Sequence, residues 1–294
     1  MSIPRRQLGR LSVSAVGIGV ARLALLDEPD EAITSVVHAA LDEGITLFDT
    51  ARAYTPPGVD SRGERVLAAA LKQHPEGKHA VVLTKGGHER HSDGSFSIDG
   101  RPEVLRRHCT DALVNLGSTC LDAFLLHWPD EQVPITESAA ALGDLRAEGL
   151  ARLVGLCNVD VDQVRAAHDE VGVDLVQNPY SGVTGGDEEV IAFCRENGIG
   201  HVAYSPLGGT AGARALGRFE SAFAAVAQKY DASAHEAVLA WLLASQPGVV
   251  PVVGAGRPGS ARAAARAGTI ELDNSDLREL GAILGRNRIG ASLG

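Results

Sequence analysis

Asp49, Lys85 and His127 each stand where a run of strand-forming residues stops, and Tyr54 follows Asp49 five positions later. Asp49 closes Ile45-Thr46-Leu47-Phe48, Lys85 closes Ala80-Val81-Val82-Leu83-Thr84, and His127 closes Leu121-Asp122-Ala123-Phe124-Leu125-Leu126. Strand cores reject charge, so a polar group at each carboxyl end points to convergence at one mouth of a parallel sheet. Together these four side chains can manage a proton. A Tyr hydroxyl titrates near ~10 and is a sluggish acid or base at neutral pH. An adjacent ammonium favours the phenolate, so Lys85 is expected to lower Tyr54, with Asp49 holding Lys85 in place and charged. His127 is expected to orient a substrate carbonyl. Such a site protonates an alkoxide as it forms, or takes the proton from an alcohol in reverse. It contains no hydride source, so reduction there requires a cofactor.

Singly, each residue has a structural explanation. Asp49 can cap the segment after its strand, Tyr54 can be a packing aromatic, Lys85 can open a surface loop, and His127 can be a satisfied core histidine. Their joint placement at neighbouring strand ends favours the functional reading.

The elements that must position them alternate along the chain. Strands are predicted over Val13 to Val20, Ile45 to Asp49, Ala80 to Thr84, Leu121 to His127, Arg152 to Leu156, Val173 to Gln177, Ile199 to Tyr204 and Val249 to Val253. Amphipathic helices are predicted over Glu31 to Glu43, Ser61 to Gln73, Pro102 to Leu116, Thr136 to Glu148, Val161 to Val171, Asp187 to Asn197, Ala222 to Tyr230 and His235 to Ser245. Gly44, Gly149 and Gly198 follow helices where a left-handed residue is needed, and Asp160 and Thr136 suit N-caps. Eight strand–helix units point to a (β/α)8 TIM barrel, with a doubly wound open sheet as the competitor. An N-terminal β-hairpin over Ile3 to Val13 would close the bottom, and Asn274 to Arg286 would be a C-terminal extra helix. No linker or low-complexity tract divides residues 1–294, which predicts a single domain.

The later strand ends carry a different chemistry. They read Cys157-Asn158, Gln177-Asn178, Tyr204-Ser205-Pro206-Leu207-Gly208 and Gly254-Ala255-Gly256-Arg257-Pro258-Gly259. Amides, a hydroxyl, an aromatic face and a glycine-rich turn suit a large cofactor with an amide and phosphates. The last segment matches GxGxxG, but too little chain follows it for a Rossmann half. It fits better as the phosphate-seating loop after strand eight of a barrel. Trp128 beside His127, and the polar Gly86 to Gly94 segment with His88, are candidate substrate contacts. That segment reads as a lid or substrate loop. Gly182 to Gly186 and Gly208 to Gly212 read as mobile loops, the latter covering a pyrophosphate. His88 and His91 lack a convergent carboxylate, so no metal is expected.

Composition narrows the class. The chain has 294 residues, 45% hydrophobic, a mean hydropathy of +0.02 and a net charge of -10. No basic stripe is present, so nucleic acid and anionic membrane are poor partners. The N-terminus lacks the apolar core of a signal peptide, and no apolar run reaches the ~18 residues of a membrane span. Four scattered cysteines (Cys109, Cys120, Cys157, Cys194) read as reduced thiols in a cytoplasmic protein.

In order and spacing these motifs resemble the aldo-keto reductase family over nearly the whole chain. The resemblance rests on Arg6 to Ser14, on Gly44-Ile45-Thr46-Leu47-Phe48-Asp49-Thr50-Ala51 with Tyr54, Ser61 and Glu64, and on Thr84-Lys85-Gly86-Gly87-His88. It continues through Leu126-His127-Trp128-Pro129-Asp130, Glu148 to Asn158, Val176-Gln177-Asn178-Pro179-Tyr180-Ser181 and Ala203-Tyr204-Ser205-Pro206-Leu207-Gly208. It implies a barrel binding NADP(H) across its mouth, with Tyr54 as general acid/base and Asp49, Lys85 and His127 completing a tetrad. By position, Asn158 and Gln177 would bond the nicotinamide carboxamide, Tyr204 would stack on its ring, and Ser205, Pro206 and Leu207 would line the pyrophosphate path. Cys157 replaces the family's usual Ser in that group. The adenosine-end segment Gly254, Ala255, Gly256, Arg257 departs from the family pattern, with Arg257 or Arg262 left to pair with a 2′-phosphate and NAD(H) left open.

The expected activity is therefore hydride transfer between NADPH and an aldehyde or ketone. A Schiff-base aldolase or lyase using Lys85 and a non-catalytic nucleotide-binding barrel are the alternatives. Substrate identity and oligomeric state are not legible.

Overall fold

In the computed structural model, which describes residues 3–26, 28–218 and 220–291, the chain enters as a hairpin. Its strands β1 (Arg5–Leu8) and β2 (Leu11–Ser14) pair from Arg5↔Ser14 to Leu8↔Leu11. The main run follows as β3 (Gly17–Gly19), α1 (Ala21–Leu25), α2 (Asp30–Asp42), β4 (Leu47–Asp49), α3 (Arg62–Gln73) and β5 (Val81–Gly86). A small excursion, β6 (His88–Arg90) and β7 (Phe96–Ile98), precedes α4 (Pro102–Leu116), β8 (Leu121–Leu126), α5 (Ile135–Ala147), β9 (Ala151–Cys157) and α6 (Val161–Val171). The second half continues through β10 (Leu175–Ser181), β11 (Gly185–Gly186), α7 (Glu188–Glu196), β12 (Gly200–Tyr204), α8 (Gly209–Arg218), α9 (Glu220–Lys229) and α10 (Ala234–Ser245). It ends with β13 (Val249–Gly254), α11 (Pro258–Ala267) and α12 (Asn274–Ala291).

Strands β3, β4, β5, β8, β9, β10, β12 and β13 pair in parallel, and both the β13–β3 and β9–β10 contacts are made, so the sheet closes into a barrel. Closure removes every edge and directs all eight carboxyl ends to one mouth. Inside, Leu47, Leu83, Leu125, Leu153, Leu175 and Val202 form a buried core. Leu8 of the hairpin, fully buried, belongs to that same cluster and plugs the end opposite the mouth. Outside, the apolar stripes of the helices pack on the outward faces of the strands.

Local signals account for most boundaries. Asp160 forms a capping box with Gln163 at the start of α6, and Ser233 forms another with Glu236 at α10. Gly44, Gly149 and Gly198 have φ of 82°, 77° and 70°, as a helix exit demands. Thr136 is not a cap, because α5 begins at Ile135 directly after Pro134. Val13 belongs to the hairpin, leaving only Gly17–Gly19 as the first barrel strand. The helices predicted near 222–230 and 235–245 both lie between β12 and β13, and α11 serves the last strand. Gly209, expected in a mobile loop, starts α8 instead. Helix α12 covers α10, where Trp241 Nε1 donates to the Leu277 carbonyl at 3.1 Å.

The plug gives a direct stability test. Leu8→Ala should cost about 2–5 kcal/mol in urea unfolding, the range for a large core truncation. A loss under ~1 kcal/mol would mean the hairpin contributes little to closure.

Candidate active site

Asp49 and Lys85 end neighbouring strands β4 and β5, paired so that Asp49 lies opposite Leu83. Their side chains meet below the mouth, where Lys85 Nζ donates to Asp49 Oδ1 at 2.6 Å and to the Thr50 carbonyl at 2.9 Å. Both are buried, with 2% of Lys85 and 4% of Asp49 exposed, so the charges face each other across a medium of low polarity. A second arm reaches the same oxygen, as Gln177 Nε2 donates to Asp49 Oδ1 at 2.8 Å. Cys157 closes the chain by donating Sγ–H to Gln177 Oε1 at 3.4 Å. Burial pushes the Cys157 thiol up to about 12, against the lowering effect of Lys85, so it remains a donor.

Tyr54 hangs over this pair, its hydroxyl 3.5 Å from Lys85 Nζ and its ring centroid 5.0 Å from the same atom. Its backbone is fixed by α3, whose Gly63 N–H donates to the Tyr54 carbonyl at 2.9 Å. A Cβ on Gly63 would lie 2.8 Å from that carbonyl oxygen, so only glycine lets the helix approach this closely. Burial raises the Tyr54 phenol above its ordinary value, and the opposing pull of Lys85 does not overcome it. This reverses the expected direction, since desolvation of the phenolate outweighs the neighbouring cation. For Lys85, burial acts to lower the amine, but Asp49 and Tyr54 outweigh it and the net shift is upward. The resting pair is thus ammonium and phenol.

His127, 7% exposed, follows β8 and packs edge-on against the Tyr54 ring at 5.5 Å. Burial, aided by Lys85 and His88, holds its imidazole well below the usual range, so the ring is neutral. Its Nδ1 is buried and unpartnered within the protein, and the residue lines the cavity beside Tyr54. Asn158, at φ 59°, donates Nδ2–H to the His127 carbonyl at 2.8 Å and accepts from Tyr204 Oη at 2.7 Å.

These residues floor a cavity of about 680 Å³ that runs from Trp128 and His127 past Tyr204, Ser205, Pro206 and Leu207 to Gly254. Asp49, Tyr54, Lys85, His127, Trp128, Cys157, Asn158, Gln177 and the Tyr204–Leu207 turn all line it, as the strand-end pattern implied. Other expected contacts sit apart. His88 lies behind, edge-on to His127 at 4.9 Å and stacked on Phe96 at 5.0 Å. Ala255, Gly256 and Arg257 flank Gly254 without lining the cavity, and exposed Arg262 faces Glu43, the C-cap of α2, at 3.8 Å. The segment read as a lid is the β6–β7 hairpin, clamped by Glu89 to Arg52 Nε at 2.8 Å. Among the described residues no three His, Cys, Asp or Glu converge as metal ligands.

One contributor was not legible. Arg22 on α1 lines the cavity, with its guanidinium packed beside Gly256. Gly209 and Ala213 of α8 line the opposite side. The only sequence signal for Arg22 is its place three residues after the end of a barrel strand.

A profile of the Aldo/keto reductase family matches residues 15–284. A probable aldo-keto reductase of Glycine max is 31% identical over 93% of this chain and 85% of its own length. An uncharacterized oxidoreductase of Schizosaccharomyces pombe is 28% identical over 93% of this chain and 88% of its own. Among solved structures, a thermostable aldo-keto reductase crystallised with the inhibitor epalrestat superposes at a TM-score of 0.78, 25% identical, over 96% of this chain and 100% of that one. The fold of a glycerol dehydrogenase from Gluconobacter oxydans matches at 0.79 and 23% identity over 97% of this chain and 95% of that one.

The buried pair can be tested without any substrate. Asp49→Asn strands the Lys85 charge and should cost about 3–5 kcal/mol in chemical denaturation, with Asp49→Asn/Lys85→Met recovering much of it. A single-variant loss under ~1 kcal/mol would show that the pair is solvated rather than enclosed.

Proposed function

Because this chain belongs to the aldo/keto reductase family, and so to a family of oxidoreductases, we propose that it is an NADP(H)-dependent carbonyl reductase in which Tyr54 delivers the proton. The observation that carries the reading is a phenol 3.5 Å from an ammonium that is itself locked to Asp49 at 2.6 Å, on the floor of an open cavity.

The residues along the cavity suit a nicotinamide nucleotide. Apolar Val252 and Val253 and the Tyr204 ring offer faces for a planar ring beside the tetrad. Further along, the turn at Ser205–Leu207 leads into the first turn of α8, whose leading amides lack intrahelical acceptors and favour phosphate. Arg22 supplies a fork-shaped cation on the facing side. When bound there, the cofactor supplies the hydride.

The chain's own groups supply the rest. Neutral His127 offers a ring nitrogen to the substrate oxygen, fixing its position over the Tyr54 hydroxyl. Tyr54, held as the phenol by burial, donates its proton as charge develops on that oxygen. Lys85 then stabilises the phenolate left behind, which in water would be a poor conjugate base to form near neutrality. Asp49, itself braced by Gln177, and the Thr50 carbonyl hold Lys85 and keep it from swinging toward solvent. The same contact works against Schiff-base chemistry, which needs a free amine and not an ammonium.

Tyr54→Phe should lower the turnover of carbonyl reduction by roughly 1,000-fold or more while NADPH fluorescence titration changes little. Retained turnover would overturn the assignment. Reduction needs the phenol and oxidation needs the phenolate. With the phenol raised, the reductive kcat should therefore stay level through neutral pH and fall only at strongly alkaline pH, while alcohol oxidation should climb with pH. Opposite slopes at neutral pH would contradict the proton route.

A further inference from the structure

We propose that the substrate taken up beside Tyr54 is a carbonyl compound with a bulky apolar body, aryl or long alkyl, and not a sugar or an anionic metabolite; this rests on the reductase reading above. The described residues expose six large hydrophobic side chains, and single exposed ones need no explanation. Here their distribution is informative. Val114 sits on α4, whereas Leu26, Val59, Phe96, Ile98 and Trp128 all lie on segments that follow barrel strands at the mouth.

The β6–β7 hairpin arranges this rim. Cross-strand pairing puts His88 opposite Ile98 and Arg90 opposite Phe96, so these four share one face, while Glu89 and Ser97 share the other. On the first face Phe96 stacks on His88 at 5.0 Å, and His88 meets Trp128 edge-on at 6.5 Å and His127 at 4.9 Å. His127 and Trp128, which line the cavity, are thus backed by His88, and the stack reaches solvent at Phe96. Leu25 and Leu26 face the cavity from α1 and the residue after it.

The wall is held before any substrate arrives. Arg90 Nη1 donates to the Thr55 carbonyl at 2.9 Å and to the Leu25 carbonyl at 3.3 Å. Arg62 donates to the carbonyls of Ala24 and Glu28 and to Asp30. On the hairpin's other face Glu89 binds Arg52, which also binds Asp111 at 2.8 Å. Two guanidiniums thus fasten the Leu25–Leu26 segment from below.

The polar inventory excludes the competing substrates. The ionised side chains lining the cavity are Asp49 and Lys85, bound to each other, and Arg22 at the Gly254 end. Arg90 does not line the cavity; it lies over the Phe96 ring at 5.3 Å with Nη1 donating to carbonyls. A carboxylate or phosphate would enter without a counter-charge, and a sugar would bring hydroxyls to Leu25, Leu26 and Trp128, which leave most of them unpaired.

The test compares three aldehydes with NADPH: 2-naphthaldehyde, 4-carboxybenzaldehyde and glyceraldehyde. The expected order of kcat/KM puts 2-naphthaldehyde first by about 10-fold or more, through KM. Leu26→Ser and Phe96→Ser should each collapse that ratio. A preference for glyceraldehyde or the carboxylate, or selectivity untouched by both variants, would overturn the proposal. Binding of 2-naphthylmethanol is read separately by calorimetry on wild type and Leu26→Ser. Absence of turnover with every aldehyde would sink the reductase reading, yet the calorimetry still decides the apolar subsite. Binding weakened by Leu26→Ser upholds that subsite, and binding absent or unweakened removes it.

Discussion

A single enclosed ion pair, Lys85 to Asp49, organises the floor of this barrel. Two charges in so little solvent are tolerable only if geometry is close and every remaining donor is used. Both conditions are met, with Thr50 and Gln177 taking the remaining bonds. The pair demands adjacent strands, and the parallel register of β4 and β5 sets Asp49 opposite Leu83, two residues before Lys85, whose long side chain reaches back to the carboxylate. It also fixes what the phenol beside it can be. With the amine held as an ammonium, Tyr54 has a permanent cation waiting for the charge that appears when its proton leaves. Burial keeps that proton on until something in the cavity asks for it.

The rest of the mouth divides around this pair. One side is apolar and aromatic, from Trp128 through His88 to Phe96, fastened by arginines that reach backbone carbonyls from outside. The other is the turn at Ser205–Leu207, the first turn of α8 and Arg22, which together suit an elongated anion. Tyr204 and Asn158 stand between the two, their side chains bonded at 2.7 Å, and Asn158 ties that junction to the His127 carbonyl.

How much of this the sequence disclosed follows from how local each cause is. Asp49, Lys85 and His127 were legible because each is a polar residue ending an apolar run, and the barrel follows once eight such runs alternate with helical ones. Gly44 and Asp160 announce helix ends through chemistry within a few residues. Arg22 was not legible, because nothing near it in the chain marks it as a cavity residue, and the segment after Lys85 was legible as a loop at the mouth but not as the β6–β7 hairpin that stacks His88 between Phe96 and His127. Thr136 misled because the cap of that helix is Pro134, two residues earlier. The direction of the Tyr54 shift misled for a different reason: its neighbour was legible, but the depth at which its hydroxyl lies was not.

That depth is the heart of the account. The direct measurement is a pH titration by NMR of protein labelled with carbon-13 at the tyrosine Cζ, with the Tyr54 line assigned by its absence in Tyr54→Phe. The expected result is a phenol shift that persists beyond the ordinary tyrosine value of about 10. A Tyr54 line that moves to the phenolate position near neutral pH would contradict it, and with it the proton route through a buried, cation-backed phenol.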